Sequence, residues 1–151
     1  MVPRGARRED WRRLLELADE PAPLDTYLQA GDLYGVTDAV TGESLAAVLV
    51  VRRDDGIPEL RAVAVAEAEQ GNGVGTRLVN HVFDRLRAAG DTTVIVGTAS
   101  SGIRQLAFYQ RLGFRLTHIE PDFFTTEKGY PADLAENSIP TRDMVWMARP
   151  L

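Results

Sequence analysis

The sequence contains no cysteine, and it is poor in the other side chains that bind metals or form covalent intermediates. Without cysteine there is no disulfide, no thiolate nucleophile and no cysteine-ligated zinc or iron–sulfur site. Histidine occurs only at His81 and His118, which excludes a histidine-rich centre, and we expect no metal. Lys128 is the only lysine, so Schiff-base chemistry has a single candidate. No apolar run approaches the roughly 18 residues of a membrane span, so we expect no membrane partner.

The charge is moderately acidic, with 17 basic and 22 acidic residues and a net charge of −5. Residues 1–13 are nevertheless basic and carry five arginines, a pattern also found in polyanion-binding segments and transit peptides. Four apolar residues in this region keep the spacing of one helix face: Trp11, Leu14, Leu15 and Ala18. This spacing favours an amphipathic helix with a solvated basic face. The acidic remainder argues against a nucleic-acid partner, and we expect a cytoplasmic protein.

The order of apolar patterns predicts one α/β domain, which the length of 151 residues also favours. Proline residues at 21 and 23 are expected to break the first helix. The stretch 120–142 has no clear pattern and is expected to be functional or mobile. The predicted elements are helices at 8–19, 24–30, 74–89 and 103–112, and strands at 33–40, 45–52, 59–66, 92–98, 114–119 and 144–148.

A glycine-rich turn, Gln70-Gly71-Asn72-Gly73-Val74-Gly75, separates a buried strand from a strong helix. Free amides in a first helical turn, together with the helix dipole, form an anion site that suits phosphate or pyrophosphate. A P-loop is excluded because the GxxxxGK[ST] pattern is missing. The GxGxxG pattern of dinucleotide folds fails because position 76 is Thr76. A glycine loop that binds no ligand is the alternative.

The pattern that remains, Q/R-x-x-G-x-G/A, resembles that of the GNAT superfamily of acyl-CoA-dependent N-acyltransferases. A second block, Gln105 to Phe114, is similar to the family's helix that ends in Y-x-x-x-G-F. The resemblance covers about residues 45–118, and the C-terminal segment is similar to an uncharacterised bacterial subgroup. It implies a single domain over 1–151, with a central mixed sheet of six to seven strands and about four helices on both faces. The family opens with a strand, for which Met1–Gly5 is the available stretch.

The resemblance also implies acetyl-CoA as co-substrate and assigns residues to it. The backbone at Val63 and Val65 would pair with the pantetheine arm, and the amide near Val65 would stabilise the thioester oxygen. Ser100 stands where family members have an asparagine that contacts pantetheine. The residues that would hold the pyrophosphate are Gln70, Gly71, Asn72, Gly73, Val74, Gly75 and Thr76.

The implied reaction is transfer of an acetyl group to a primary amine by direct attack in a ternary complex. Tyr109 occupies the family's general-acid position, although at helical spacing it is equally a core residue. Glu59 opens the central strand, where several members place a carboxylate base; the alternative is a solvent-facing residue at the strand entry. Glu136 and Asp143 are weaker candidates for the base.

The acceptor is expected to be a small-molecule or peptide amine. An acid beside two aromatic residues, Asp122, Phe123 and Phe124, would suit a cationic amine; alternatively the two rings close the edge of the sheet. The apolar strand 144–148 is a candidate for pairing between subunits of a homodimer. A CoA-binding regulatory module without catalysis is the alternative function.

Overall fold

Six strands form one mixed sheet in the structure, a computed structural model that describes residues 7–151. The strands of this sheet are β1 (Asp32–Thr37), β2 (Ser44–Arg52), β3 (Pro58–Val65), β4 (Thr93–Ala99), β5 (Arg115–Glu120) and β8 (Met144–Pro150). Their spatial order is β1-β2-β3-β4-β8-β5. A separate hairpin consists of β6 (Ala135–Glu136) and β7 (Ile139–Pro140). The helices are α1 (Arg12–Leu15), α2 (Pro21–Asp25), α3 (Val74–Ala88) and α4 (Ile103–Arg111).

Helices cover both faces of the sheet, which confirms the predicted α/β architecture. On one face α3 and α4 enclose the larger core, where Phe83 and Met147 are fully buried. On the other face α1 and α2 enclose a second core that contains Trp11 and Leu24. Apolar residues recur every three or four positions along α3, and burial of that stripe on the sheet fixes the helix.

The sheet is held together at its centre by a very short contact between β3 and β4. These parallel strands pair only at Glu59–Ile95 and Leu60–Val96, and they diverge beyond that point. A register shift between Leu49 and Val50 makes Arg61 an extra residue in β3, and such bulges bend a strand. The sheet therefore consists of two halves, β1-β2-β3 and β4-β8-β5, with a cleft between them.

The N-terminal region differs from its prediction. The helix expected over 8–19 is a 3₁₀ turn, Arg8–Trp11, followed by α1, which ends at Leu15. The prolines therefore do not end the first helix. Pro21 instead begins α2, because the first position of a helix needs no backbone N–H. The strand proposed for Met1–Gly5 lies outside the described residues.

The C-terminal strand also corrects a prediction. β8 lies between β4 and β5 and pairs with both along its length, so it offers no free edge for a second subunit. The outer edges of the sheet are β1 and β5. Over residues 7–151, no helix is long and apolar enough to cross a bilayer.

Candidate active site

The divergence of β3 and β4 opens a cleft of about 330 Å³. Its walls come from the two strands, from the turn after α1, from α4 and from the segment that follows β5. The residues that the two strands contribute are Leu60, Arg61, Ala62 and Val63 of β3 and Gly97, Thr98 and Ala99 of β4. The cleft therefore lies where β3 and β4 no longer form hydrogen bonds with each other.

One wall of the cleft is an open strand edge. The N–H of Ala66 donates to the carbonyl of Leu45 on β2, at 2.8 Å. Successive residues of a strand direct their N–H and C=O groups alternately to its two sides. Since Ala66 bonds to β2, the N–H and C=O groups of Val65 and Val63 point away from β2. The side-chain amide of Gln70 donates to the Val65 carbonyl at 3.1 Å, which agrees with this orientation. Val63 borders the cleft itself.

The glycine turn presents backbone amides at the far end of β3. Gly71 and Gly73 adopt φ values of 84° and 80°, which glycine reaches without strain. The first intrahelical bond of α3 runs from the Arg77 N–H to the Gly73 carbonyl. Within residues 7–151, no side chain caps this end and the amides of residues 74–76 have no backbone acceptor. Free amides at a helix start are the feature on which the predicted anion site depends.

In addition to offering a backbone amide, Gly75 allows close packing. A Cβ atom on Gly75 would lie 2.9 Å from Cγ2 of Val65 and 3.6 Å from the ring of Phe108. The absence of a side chain lets α3 approach β3 and α4 closely. The glycine turn does not border the cleft, so the predicted site residues fall into two groups, joined by the open edge of β3.

Tyr109 lies on α4 and borders the cleft. Only 6% of the residue is exposed, and its ring packs against Phe108 and Phe114 at centroid distances of 5.3 and 5.7 Å. Burial raises the pKa of its hydroxyl, so the group carries its proton at neutral pH. No hydrogen bond to that hydroxyl is formed within the described chain, and the oxygen is not sealed from solvent. Tyr109 is thus a core residue with a free donor.

Glu59 lies beside the cleft rather than in its lining. It is 7% exposed, and its Oε2 is 3.8 Å from Nη1 of Arg61, which does border the cleft. Burial raises the pKa of this carboxyl, against the opposing effects of Arg61 and Arg53. The solvent-facing alternative is therefore wrong. Arg61 also lies over the ring of Tyr27, 4.4 Å from its centroid.

The cleft lining also contains a hydrogen-bonded carboxylate, Asp19, that no sequence pattern indicated. Asp19, in the turn after α1, accepts a hydrogen bond at Oδ2 from the Tyr27 hydroxyl, at 2.7 Å. Its Oδ1 accepts from the Tyr130 hydroxyl at 3.0 Å and from the Glu20 N–H at 2.9 Å. Burial and the neighbouring Asp19 raise the pKa of both tyrosines. Asp19 and Tyr130 are 111 residues apart, so no local pattern could have indicated their contact.

The hairpin β6–β7 is fastened to the start of α4. Gln105 donates its amide to the Glu136 carboxylate at 3.1 Å, and Asn137 donates to the Ser101 carbonyl at 2.8 Å. The hydroxyls of Ser101 and Thr141 are 2.7 Å apart. Glu136 therefore borders the cleft with its carboxylate held in place.

The remaining candidates divide between the cleft and structural positions. Phe124 borders the cleft and contacts the ring of Tyr130, at a centroid distance of 4.9 Å. Asp143 accepts a hydrogen bond from the Asp122 N–H at 2.9 Å, away from the cleft lining. Ser100 donates its N–H to the Asp143 carbonyl and also lies outside that lining. The Phe123 ring faces Lys128, whose Nζ is 3.8 Å from the ring centroid.

Comparison with known proteins assigns this architecture to a family. The model of the acetyltransferase (GNAT) family matches residues 5–114. The chain is 38% identical over 134 residues to the uncharacterised N-acetyltransferase YvbK of Bacillus subtilis, covering 87% of this chain and 83% of that protein. In its fold it is similar to an IAA acetyltransferase from Bacillus cereus, with a TM-score of 0.85, 33% identity and coverage of 99% and 96% of the two chains. A GNAT family acetyltransferase from Elizabethkingia anophelis with acetyl-CoA bound has a TM-score of 0.86, 31% identity and coverage of 99% and 94%. The chain therefore belongs to the GNAT acetyltransferase family and is an acyltransferase.

Proposed function

We propose that this protein transfers the acetyl group of acetyl-CoA to a primary amine, by direct attack in a ternary complex. One observation carries the proposal. The divergence of β3 and β4 leaves the open edge at Val63 and Val65 between an amide-rich helix start and a cleft that holds the Tyr109 hydroxyl. A donor that is anionic at one end and reactive at the other fits this layout.

The residues present fit the chemistry of coenzyme A. The amides of residues 74–76, at the end of the turn from Gln70 to Thr76, suit a pyrophosphate, since they combine free N–H groups with the helix dipole. The edge at Val63 and Val65 offers backbone groups to the amides of a pantetheine arm, in the manner of an added strand. When bound, acetyl-CoA supplies an acetyl group activated as a thioester. We retain Ser100 as a contact of the pantetheine arm, through its position directly after β4.

The amine has to lose a proton before or during attack. A lysine-like amine has a pKa of about 10.4, so at neutral pH its deprotonation costs roughly 4–5 kcal/mol. Glu59 remains our candidate for the base, because burial raises its pKa toward neutrality. Its position outside the cleft lining requires that the proton travel through an intervening water.

The new carbon–nitrogen bond forms as the carbon–sulfur bond breaks, and two groups on this chain meet the changing charge. The amide near Val65 faces the open edge and is our candidate donor to the thioester oxygen. Tyr109 gives its proton to the departing thiolate, whose free thiol has a pKa near 8.5. The Tyr109 hydroxyl holds its proton at neutral pH and has no partner in the described chain, so the proton is available for donation.

The wider setting is also proposed rather than observed. We propose that residues 1–151 form one domain, and that the protein acts in the cytoplasm, as the lack of cysteine suggests. A homodimer, if formed by strand pairing, would use β1 or β5, the outer edges of the sheet.

Calorimetric titration with acetyl-CoA, free CoA and NAD tests the donor assignment. We expect micromolar binding of acetyl-CoA and no heat with NAD; no binding of acetyl-CoA would overturn the proposal. Amines are then screened by release of free CoA. Binding of acetyl-CoA without CoA release from any amine would favour the alternative, a CoA-binding regulatory module.

A further inference from the structure

The lining of the cleft is strongly acidic. Four carboxylates border the cleft: Glu16, Asp19, Glu20 and Glu136. Within residues 7–151, none of the four forms a salt bridge. Arg61 is the only cationic side chain among the described residues of the lining, and it is already paired with Glu59 and the Tyr27 ring. The cleft therefore presents uncompensated negative charge.

Asp19 is the fixed member of this group. Three hydrogen bonds, from two tyrosine hydroxyls and one backbone N–H, hold its carboxylate in a half-buried position. Two of these bonds occupy Oδ1 and only one occupies Oδ2, so Oδ2 keeps capacity for a further donor. A carboxylate that is oriented in advance loses little entropy when a donor binds to it.

Two further observations indicate that a ligand occupies this space. Tyr109, a residue that is more than nine-tenths buried, borders the same cleft, and its hydroxyl has no partner in the described chain. The rings of Phe124 and Tyr130 border the cleft beside Asp19, and aromatic faces attract cations. Carboxylates and aromatic rings together recognise a positively charged group.

We propose that the cleft selects amines that carry a second positive charge, with Asp19 and Glu20 binding the charged group that is not acetylated. The inference rests on the proposed function, because it names the acceptor class of the same reaction. The nitrogen that attacks must be neutral when it reacts. A site built from carboxylates therefore gains selectivity from a different nitrogen that stays protonated during the reaction.

Three amines of equal chain length test the proposal: 1,4-diaminobutane, butylamine and 4-aminobutanoate. Their free ends are positive, neutral and negative, while the reacting amine is the same. We expect kcat/KM to fall in that order, with at least about a tenfold advantage of the diamine over butylamine. The advantage should shrink as salt is added, since screening weakens charge attraction.

Charge-neutralising variants locate the effect. In Asp19→Asn and Glu20→Gln the ratio of kcat/KM for the diamine to kcat/KM for butylamine should drop to about threefold or less. Glu43→Gln is the matched control, since Glu43 is exposed in the β1–β2 turn and does not border the cleft; it should keep the full preference. A purely structural role of Asp19 would instead lower the rates with both amines together.

The outcomes separate this inference from the proposed function. Equal kcat/KM for butylamine and the diamine, or a preference for 4-aminobutanoate, overturns the inference while the acetyltransferase assignment stands. Absence of acetyl-CoA binding in the same preparation overturns both. A diamine preference that survives in Asp19→Asn and Glu20→Gln shows that other groups carry it, and the assignment to these two residues is then wrong.

Discussion

The donor end and the acceptor end of the proposed reaction path are built from different parts of the chain. The donor end consists of backbone: free amides at the start of α3 and the unpaired edge of β3. The acceptor end consists of side chains, the carboxylates and rings around Asp19 and Tyr130. Backbone recognition depends on φ and ψ, whereas side-chain recognition depends on charge and shape. The donor end should therefore tolerate most substitutions that preserve backbone geometry, and the acceptor end should not.

The largest effect is expected at Tyr109, where the donor end and the acceptor end meet. Replacement Tyr109→Phe removes the free hydroxyl but keeps the ring in its contacts with Phe108 and Phe114. We expect kcat to fall at least about tenfold, because general acids contribute on that scale or more. Affinity for acetyl-CoA should change little, as measured by calorimetry.

The control for this prediction is Tyr34→Phe. Tyr34 is buried on β1, away from the cleft, so loss of its hydroxyl should leave kcat unchanged. Equal turnover of Tyr109→Phe and the parent protein would remove Tyr109 from the mechanism.

The donor end is tested by a change of backbone geometry. Gly73 begins α3 at φ 80°, with open space where a side chain would lie. In Gly73→Val a β-branched residue strains or shifts the turn, at about 1–3 kcal/mol. We expect affinity for acetyl-CoA to fall about tenfold or more, measured by titration.

Gly42 provides a matched control, since it has φ 75° and equally open surroundings but lies in the β1–β2 turn. Gly42→Val should lower the unfolding temperature by a similar amount and leave acetyl-CoA affinity intact. If both variants bind acetyl-CoA like the parent, the amides of the turn do not form the pyrophosphate site.

This contrast explains how much the sequence could predict. The glycine turn and the start of α3 were predicted from a short contiguous pattern, because glycines at φ above zero and a helix start are local features. The order of the elements and the helices on both faces were predicted from apolar periodicity. The acceptor end was missed, since the contact between Asp19 and Tyr130 depends on how two distant turns pack. The prediction grouped Asp122, Phe123 and Phe124; in the structure Phe124 borders the cleft, whereas Asp122 and Phe123 lie outside its lining.

A smaller effect concerns the charge of Glu59. Burial raises its pKa in the folded chain above that in the unfolded chain, so the folded state holds the proton more tightly. The contribution of Glu59 to the free energy of unfolding is fully present at acidic pH, below the pKa of the unfolded chain. This contribution is lost as the pH rises through the pKa of the folded chain. Glutamine does not titrate. The unfolding temperature of Glu59→Gln, relative to the parent, should therefore rise between about pH 4 and pH 7.

Thermal unfolding of both proteins across this pH range provides the measurement, and a constant difference would contradict the prediction. The same variant tests Glu59 as the proposed base, since this residue lies beside the cleft and not in its lining. An unchanged pH–rate profile in Glu59→Gln would exclude Glu59 from the mechanism.

The smallest effect is expected in the hairpin on the acceptor side. Asn137 and Ser138 connect β6 and β7 with φ values of 54° and 62°, the geometry of a two-residue turn that favours Asn-Gly. Ser138→Gly removes the left-handed strain and should stabilise the protein by about 0.5–1 kcal/mol. At this chain length the unfolding temperature should rise by about 1–4 °C.

Ser138→Ala is the control for the hairpin, because it removes the hydroxyl but keeps the Cβ atom that causes the strain. It should not stabilise the protein. Equal stabilisation by alanine and glycine would show that the hydroxyl, rather than the backbone, is the source of the cost.

The unpaired edge of β3 has a consequence for solubility. A bare strand edge is ordinarily a template for aggregation, and proteins protect such edges with charges or proline. β5, on the outside of the sheet, carries Arg115, His118 and Glu120. The stretch from Ala62 to Val65 has no such protection, because its open side faces the other half of the same sheet. By opening a slot inside the sheet, the fold keeps backbone groups available to a substrate and out of reach of a neighbouring chain.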